Sequence, residues 1–232
     1  MDSPEVIAAE YLRRGAVVDI GSAVSRGWAL VRDNMGVLVG ATVLGWLITV
    51  GLAFVPVVGW AVGIVLLGGL DYMFIRRIRG EEVQIGDVFA GFNLAFLHLT
   101  LAGLVKWLLT SLGLVLCILP GIYLGVGYVF ALPLVIDKKM EFWPAMEVSR
   151  QVVHRHWWSI FALVIVSALI ACAGFLICIV GSLITVPVAS ATLMYAYEDL
   201  FGPEAAGPVS DRSRSDSSGN RSSDSILPAS PG

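Results

Sequence analysis

Residues 157–197 read WWSIFALVIVSALIACAGFLICIVGSLITVPVASATLMYAY, and no acidic or basic side chain interrupts the run. At 1.5 Å of rise per residue this is enough chain for two helical crossings of a ~30 Å hydrocarbon core, joined at Ile179-Val180-Gly181. Two further apolar runs of the same kind fill residues 35–75 and 94–136, with uncharged turns at Pro56-Val57-Val58-Gly59 and Leu119-Pro120-Gly121. The pattern predicts an all-α integral membrane protein of six transmembrane helices in three hairpins. Composition agrees: the 232 residues are 57% hydrophobic and 14% charged, against roughly a quarter charged in a soluble domain. The apolar excess has to face lipid.

Polar segments precede each hairpin. Residues 3–14 predict a short helix capped by Ser3 with Pro4 at its first position, ended by Gly15. From Asp19 a second helix sets Ile20, Ala23, Val24, Gly27 and Val31 on one face and Ser22, Ser25, Arg26 and Arg32 off it. Ile85, Val88, Phe89 and Phe92 form a shorter apolar stripe before the second hairpin. Before the third, Phe142, Ala145, Met146, Ser149, Val153 and His156 recur at helical spacing, with Glu147, Arg150, Gln151 and Arg155 off that face. Each hairpin is thus expected to be preceded by an amphipathic helix at the membrane interface, and Trp157 and Trp158 mark re-entry into lipid. Asp2 and Glu5 make the N-terminus unlike a secretory signal. The expected divisions are an N-terminal segment 1–16, a transmembrane domain 17–202 and a disordered tail 203–232 rich in Ser, Pro, Gly, Arg and Asp.

Every Lys and Arg except Lys106 lies in the termini or in the segments between hairpins, and none lies in a hairpin turn. The positive-inside rule then places both termini in the cytoplasm and orients the three hairpins alike. Three short uncharged turns leave little outer surface for recognition, so lipids or a protein partner are expected within the membrane or on its cytoplasmic side.

Sliding the chain by 122 residues superposes Ala23 on Ala145, Gly59 on Gly181 and Gly80 on Gly202, which reads as an internal repeat. The second helix of each hairpin also opens with a small-residue pair four apart: Gly59/Gly63, Gly121/Gly125 and Gly181/Thr185. Such pairs let helices approach closely in lipid. The same register sets Arg76-Arg77 opposite Glu198-Asp199, where ion pairs would close the bundle if the helices are neighbours.

Lys106 falls within the third span, where a charge is costly and calls for a partner. Asp71, on the oppositely directed second span, leans toward it. An Asp71–Lys106 pair is expected, either structural or part of a polar path, with snorkelling of Lys106 as the alternative. Arg26, Arg32, Arg150 and Arg155 are read as contacts for anionic lipid headgroups. His98, His154 and His156 are read as interfacial anchors rather than metal ligands, because residues two apart do not share a helix face. Cys117, Cys172 and Cys178 read as small core residues, with a Cys117–Cys178 disulfide as the alternative. Pro133 and Pro187 bend their spans. There is no GxSxG, HExxH, Walker loop or intramembrane carboxylate pair, so no enzyme activity, metal, cofactor or nucleic-acid partner is expected.

The stretches Leu119-Pro120-Gly121-Ile122-Tyr123-Leu124, Ala131-Leu132-Pro133-Leu134-Val135-Ile136-Asp137 and Ala145-Met146-Glu147-Val148-Ser149-Arg150, with His156-Trp157-Trp158, carry a resemblance. Over about residues 17–202 the chain resembles uncharacterised six-helix bacterial membrane proteins, including the membrane domain fused to some glycerophosphodiester phosphodiesterases. The resemblance implies a bacterial inner-membrane protein. No catalytic residues carry over, and the soluble phosphodiesterase domain of some relatives has no counterpart in this sequence. The expected function is a membrane-embedded scaffold or lipid-interacting module. A small-solute or lipid transporter, with its path at Lys106 and Asp71, is the alternative.

Overall fold

The computed structural model describes residues 3–13, 15, 18–52, 55–116, 118–177 and 179–203, and among them every regular element is helical. α1 (Pro4–Arg13) begins with proline where its missing N–H is harmless. α2 (Ile20–Asp33) is capped by the Asp19 carboxylate, which accepts from the Gly21 N–H at 3.0 Å. Then come α3 (Met35–Gly51), α4 (Pro56–Ile78), a 3-10 turn over Ile85–Phe89, α5 (Ala90–Leu94), α6 (Phe96–Leu116), α7 (Ile118–Gly127) and α8 (Ala131–Asp137). α9 (Phe142–Arg155), α10 (Trp157–Ile177) and α11 (Ile179–Phe201) follow as the last of the described helices.

Among the described residues four segments are long and apolar enough to cross a membrane: Val58–Ile78, Phe96–Leu116, Ile118–Asp137 and Trp157–Gly174. A fifth is added if α2 and α3, bent by 96°, count as one span. α3, at 17 residues, is at the lower limit of a crossing by itself. α11, 23 residues long, is uncharged as far as Tyr197 and ends just after Glu198 and Asp199. The two prolines act differently. Pro133 cannot donate to the Val129 carbonyl, and the helix breaks at residues 128–130 between α7 and α8. Pro187 is accommodated inside a continuous α11.

α3 and α4, α6 and α7, and α10 and α11 pack as three neighbouring pairs. The small residues singled out in the sequence face the partner helix of their own pair. A Cβ on Gly59 would strike the Leu52 carbonyl, and one on Gly63 would lie 3.3 Å from Thr49. Gly121 packs against Gly113 and Leu114, and Gly125 against Thr110. Gly181 packs against Gly174, while Thr185 Oγ1 donates to the Ala171 carbonyl at 3.4 Å.

The segments that sequence reads as amphipathic are not laid out on a surface apart from the bundle. α2 lies along α11, the 3-10 turn and α5 lie along α4, and α9 runs back along α8 and α7. Each rests on the second helix of a different pair, and α2 on α11 joins the start of the chain to its end. The contacts depend on small groups: Gly27 sits against the Thr192 backbone, the Val88 carbonyl against Gly69, and Ser149 Oγ donates to the Gly127 carbonyl at 2.8 Å. In the middle segment only Val88 and Gly91 are buried, and Ile85 and Phe89 stay exposed. A Gly27→Leu substitution is expected to push α2 off α11 and cost about 1–3 kcal/mol, read as a lower midpoint of thermal unfolding in detergent.

One residue separates each such segment from the helix that follows, at Asn34, Ala95 and His156. Their backbone angles are alike: φ −129°, ψ 33°; φ −157°, ψ 33°; and φ −113°, ψ 30°. α3, α6 and α10 start at Met35, Phe96 and Trp157, an equal spacing of about 61 residues.

α1 is also part of the packing rather than a free segment. Ala8 is fully buried, α1 lies on α9, and the Tyr11 ring meets Phe201 edge-on at 5.0 Å. Phe201 in turn packs with Phe130 and Tyr197.

Candidate functional site

The densest polar constellation lies where α4, α8 and α11 end. Arg79 follows the last turn of α4, Asp137 is the last residue of α8, and Tyr197, Glu198 and Asp199 lie in the last turns of α11. The Arg79 guanidinium grips Asp137 with two bonds, Nη1 to Oδ1 at 2.6 Å and Nη2 to Oδ2 at 2.9 Å. Its Nη2 also lies 2.7 Å from Glu198 Oε1, a short ion contact outside hydrogen-bond geometry. The Tyr197 hydroxyl donates to Asp137 Oδ2 at 2.9 Å, and Lys138 Nζ lies 3.4 Å from the same oxygen. One cation thus holds two carboxylates from two different helices. Asp137 and Glu198 side chains are only 3% and 12% exposed, so these contacts are screened less than surface pairs. Burial works against the Arg79 charge, but the bond to Asp137 and the charges of Asp137 and Glu198 outweigh it and raise its pKa above the ordinary arginine value.

A second pair adjoins the first. Arg26 of α2 binds Asp199 through Nη2 at 2.6 Å and Nη1 at 3.2 Å, and its guanidinium lies 4.7 Å from the Tyr195 ring centre. The two clasps flank a cleft of about 410 Å³ lined by Arg26, Ile78, Arg79, Tyr195, Glu198 and Asp199.

The chain is similar to uncharacterised proteins. It is 28% identical over 130 residues to uncharacterised proteins of Mycobacterium bovis and Mycobacterium tuberculosis. The match covers 56% of this chain and 39% of each relative, so the chain spans about two fifths of their length. No family model matches, and no solved structure matches.

Gly68 sits against Leu99 and Gly103 against Ile64, which fixes the register of α4 on α6. That register leaves Asp71 and Lys106 roughly ten residues out of level, about 15 Å along the axes. Their charges interact, but no ion pair within 4 Å joins them. Three of the four arginines expected at lipid headgroups have carboxylate partners: Arg26 with Asp199, Arg150 with Glu147 at 2.6 Å, and the exposed Arg32 with Asp33 at 3.3 Å. Arg76 pairs with Glu81 and Asp87, within its own loop, rather than with Glu198 or Asp199.

Among the described residues no cluster of His, Cys, Asp and Glu is arranged to hold a metal ion. His154 Nδ1 instead lies 2.9 Å from the Tyr123 hydroxyl. Cys172 is free and exposed, and the Cys117–Cys178 alternative lies outside the described residues, as does the tail beyond residue 203. Sequence reasoning did not single out Arg79 or Asp137. The available signal was their shared position: each sits where the second helix of a pair leaves its apolar run.

Proposed function

We propose that the protein is a membrane-embedded scaffold and lipid-interacting module of the bacterial inner membrane. It has six spans in three co-oriented hairpins, an internal threefold repeat, both termini in the cytoplasm and no catalytic role. One observation carries the reading: the charged groups at the ends of α4, α8 and α11 are engaged with one another through Arg79, as a device that ties helices together. The equally spaced hinges at Asn34, Ala95 and His156 and the closure of α2 onto α11 support the repeat. The resemblance to six-helix bacterial membrane proteins supports the span count. Detergent-free purification followed by mass spectrometry tests the reading. Recovery of specific phospholipids or a stoichiometric protein partner is expected; recovery with neither, together with solute flux in proteoliposomes, would overturn it. A reporter fused after Gly232 that reads periplasmic would reverse the orientation.

A second reading, transport of a small solute or lipid, draws on one feature. Asp71 and Lys106 are opposite charges on membrane helices that interact without closing a direct pair, the kind of polar group that lines a pathway. On the scaffold reading, Lys106→Met leaves partner and lipid recovery unchanged. Loss of proteoliposome flux in the same variant would favour transport.

A further inference from the structure

The hinge between α9 and α10 carries a second concave surface, separate from the Arg79 clasp. It encloses about 500 Å³ and is lined by Tyr123 of α7 and by residues 154–159. Among the described residues no carboxylate lines it. Arg155 supplies a guanidinium with five N–H donors, and among the described residues no carboxylate lies within 4 Å of it, unlike Arg26, Arg79 and Arg150. Where the Tyr123 hydroxyl donates to His154 Nδ1, across 2.9 Å, the neutral imidazole carries its own proton on Nε2 as a further donor. Burial, and secondarily the positive charge of Arg155, hold His156 below its ordinary pKa.

The other half of the surface is aromatic. The Tyr123 and Trp157 ring centres are 4.8 Å apart, Trp157 stacks on Phe161 at 5.8 Å, and Trp158 is 79% exposed. Donors beside an exposed tryptophan, at the start of a membrane-length apolar helix, match a ligand with an anionic head and an apolar body.

We propose that this hinge binds the headgroup phosphate of an anionic phospholipid, with Arg155 and His154 on the phosphate and Trp158 against the glycerol and upper acyl chain. The assignment rests on the lipid-interacting reading above and names its site. A freely diffusing phosphate would use the donors but not the aromatic wall.

The test is native mass spectrometry of the full chain in micelles doped with equal phosphatidylglycerol and phosphatidylcholine. Wild type is expected to retain phosphatidylglycerol preferentially, and Arg155→Gln to reduce that retention about five- to tenfold, with Arg155→Lys keeping most of it. If Arg155→Gln does not fold, Trp158→Ala carries the test, because an exposed side chain can be removed without a core cavity; retention is expected to fall severalfold. Unchanged phosphatidylglycerol retention in a folded variant overturns the site but leaves the lipid-interacting reading standing. Wild type that retains neither lipid overturns both. Displacement of the lipid by millimolar inorganic phosphate as effective as that by excess phosphatidylglycerol overturns the lipid as occupant.

Discussion

Replacing Arg79 with methionine lowers the unfolding free energy by about 3–5 kcal/mol, measured by denaturant or thermal unfolding of the purified protein in detergent. The substitution keeps much of the aliphatic stem and removes the guanidinium that holds both Asp137 and Glu198. Two carboxylates on the ends of α8 and α11 are then left close together with little water, and like charges in such a site repel. Tyr197 and Lys138 still reach Asp137, so the loss falls short of full exposure of both anions. Removing the second charge should undo part of the damage: Arg79→Met combined with Asp137→Asn is expected to be more stable than Arg79→Met alone. Equal stability of the two variants would show that the clasp contributes packing rather than electrostatics.

Gly174→Val is the second large effect. Glycine here lets α10 and α11 touch backbone to backbone: an added Cβ would fall on Thr185 Oγ1 and within 2.9 Å of the Gly181 carbonyl. Neither neighbour is the flexible end of a long side chain, so the helices themselves must separate. The cost should reach the upper part of the ~1–3 kcal/mol range for overpacking, because close approach is what drives helix association in lipid. Gly36→Ala is the matched control. A Cβ on Gly36 meets nothing within 4 Å, and the change is expected to be neutral or to stabilise α3 by about 0.5–1 kcal/mol. A Gly174→Val protein as stable as wild type would mean that the α10–α11 contact is looser than described.

Local chemistry made much of the fold legible in the sequence. Pro4, Asp19 and the stripe Ala23, Gly27, Val31 act within one or two helical turns, and α1 and α2 start where those residues place them. The glycine pairs were readable for the same reason, since each pair meets the helix that immediately precedes it across a short turn. Arg26 was not. Its position off the apolar stripe of α2 makes it look like a surface charge, and only the packing of α2 on α11 brings Asp199, 173 residues away, within reach. For Asp71 and Lys106 the axial register is likewise tertiary: it depends on how Gly68 and Gly103 seat on Leu99 and Ile64.

The sequence by itself determined that this is an all-helical chain whose apolar helices suit a membrane, because hydropathy and helical period act residue by residue. Only the tertiary structure decided where the polar connecting helices rest and which charges meet. α9 lies along α7 and α8, so His154 faces Tyr123; Arg79, rather than Arg76 or Arg77, reaches Asp137 and Glu198. Those partners are set by the crossing of helices distant in sequence, and a guanidinium finds its carboxylate over a few ångströms of space, which no spacing along the chain records.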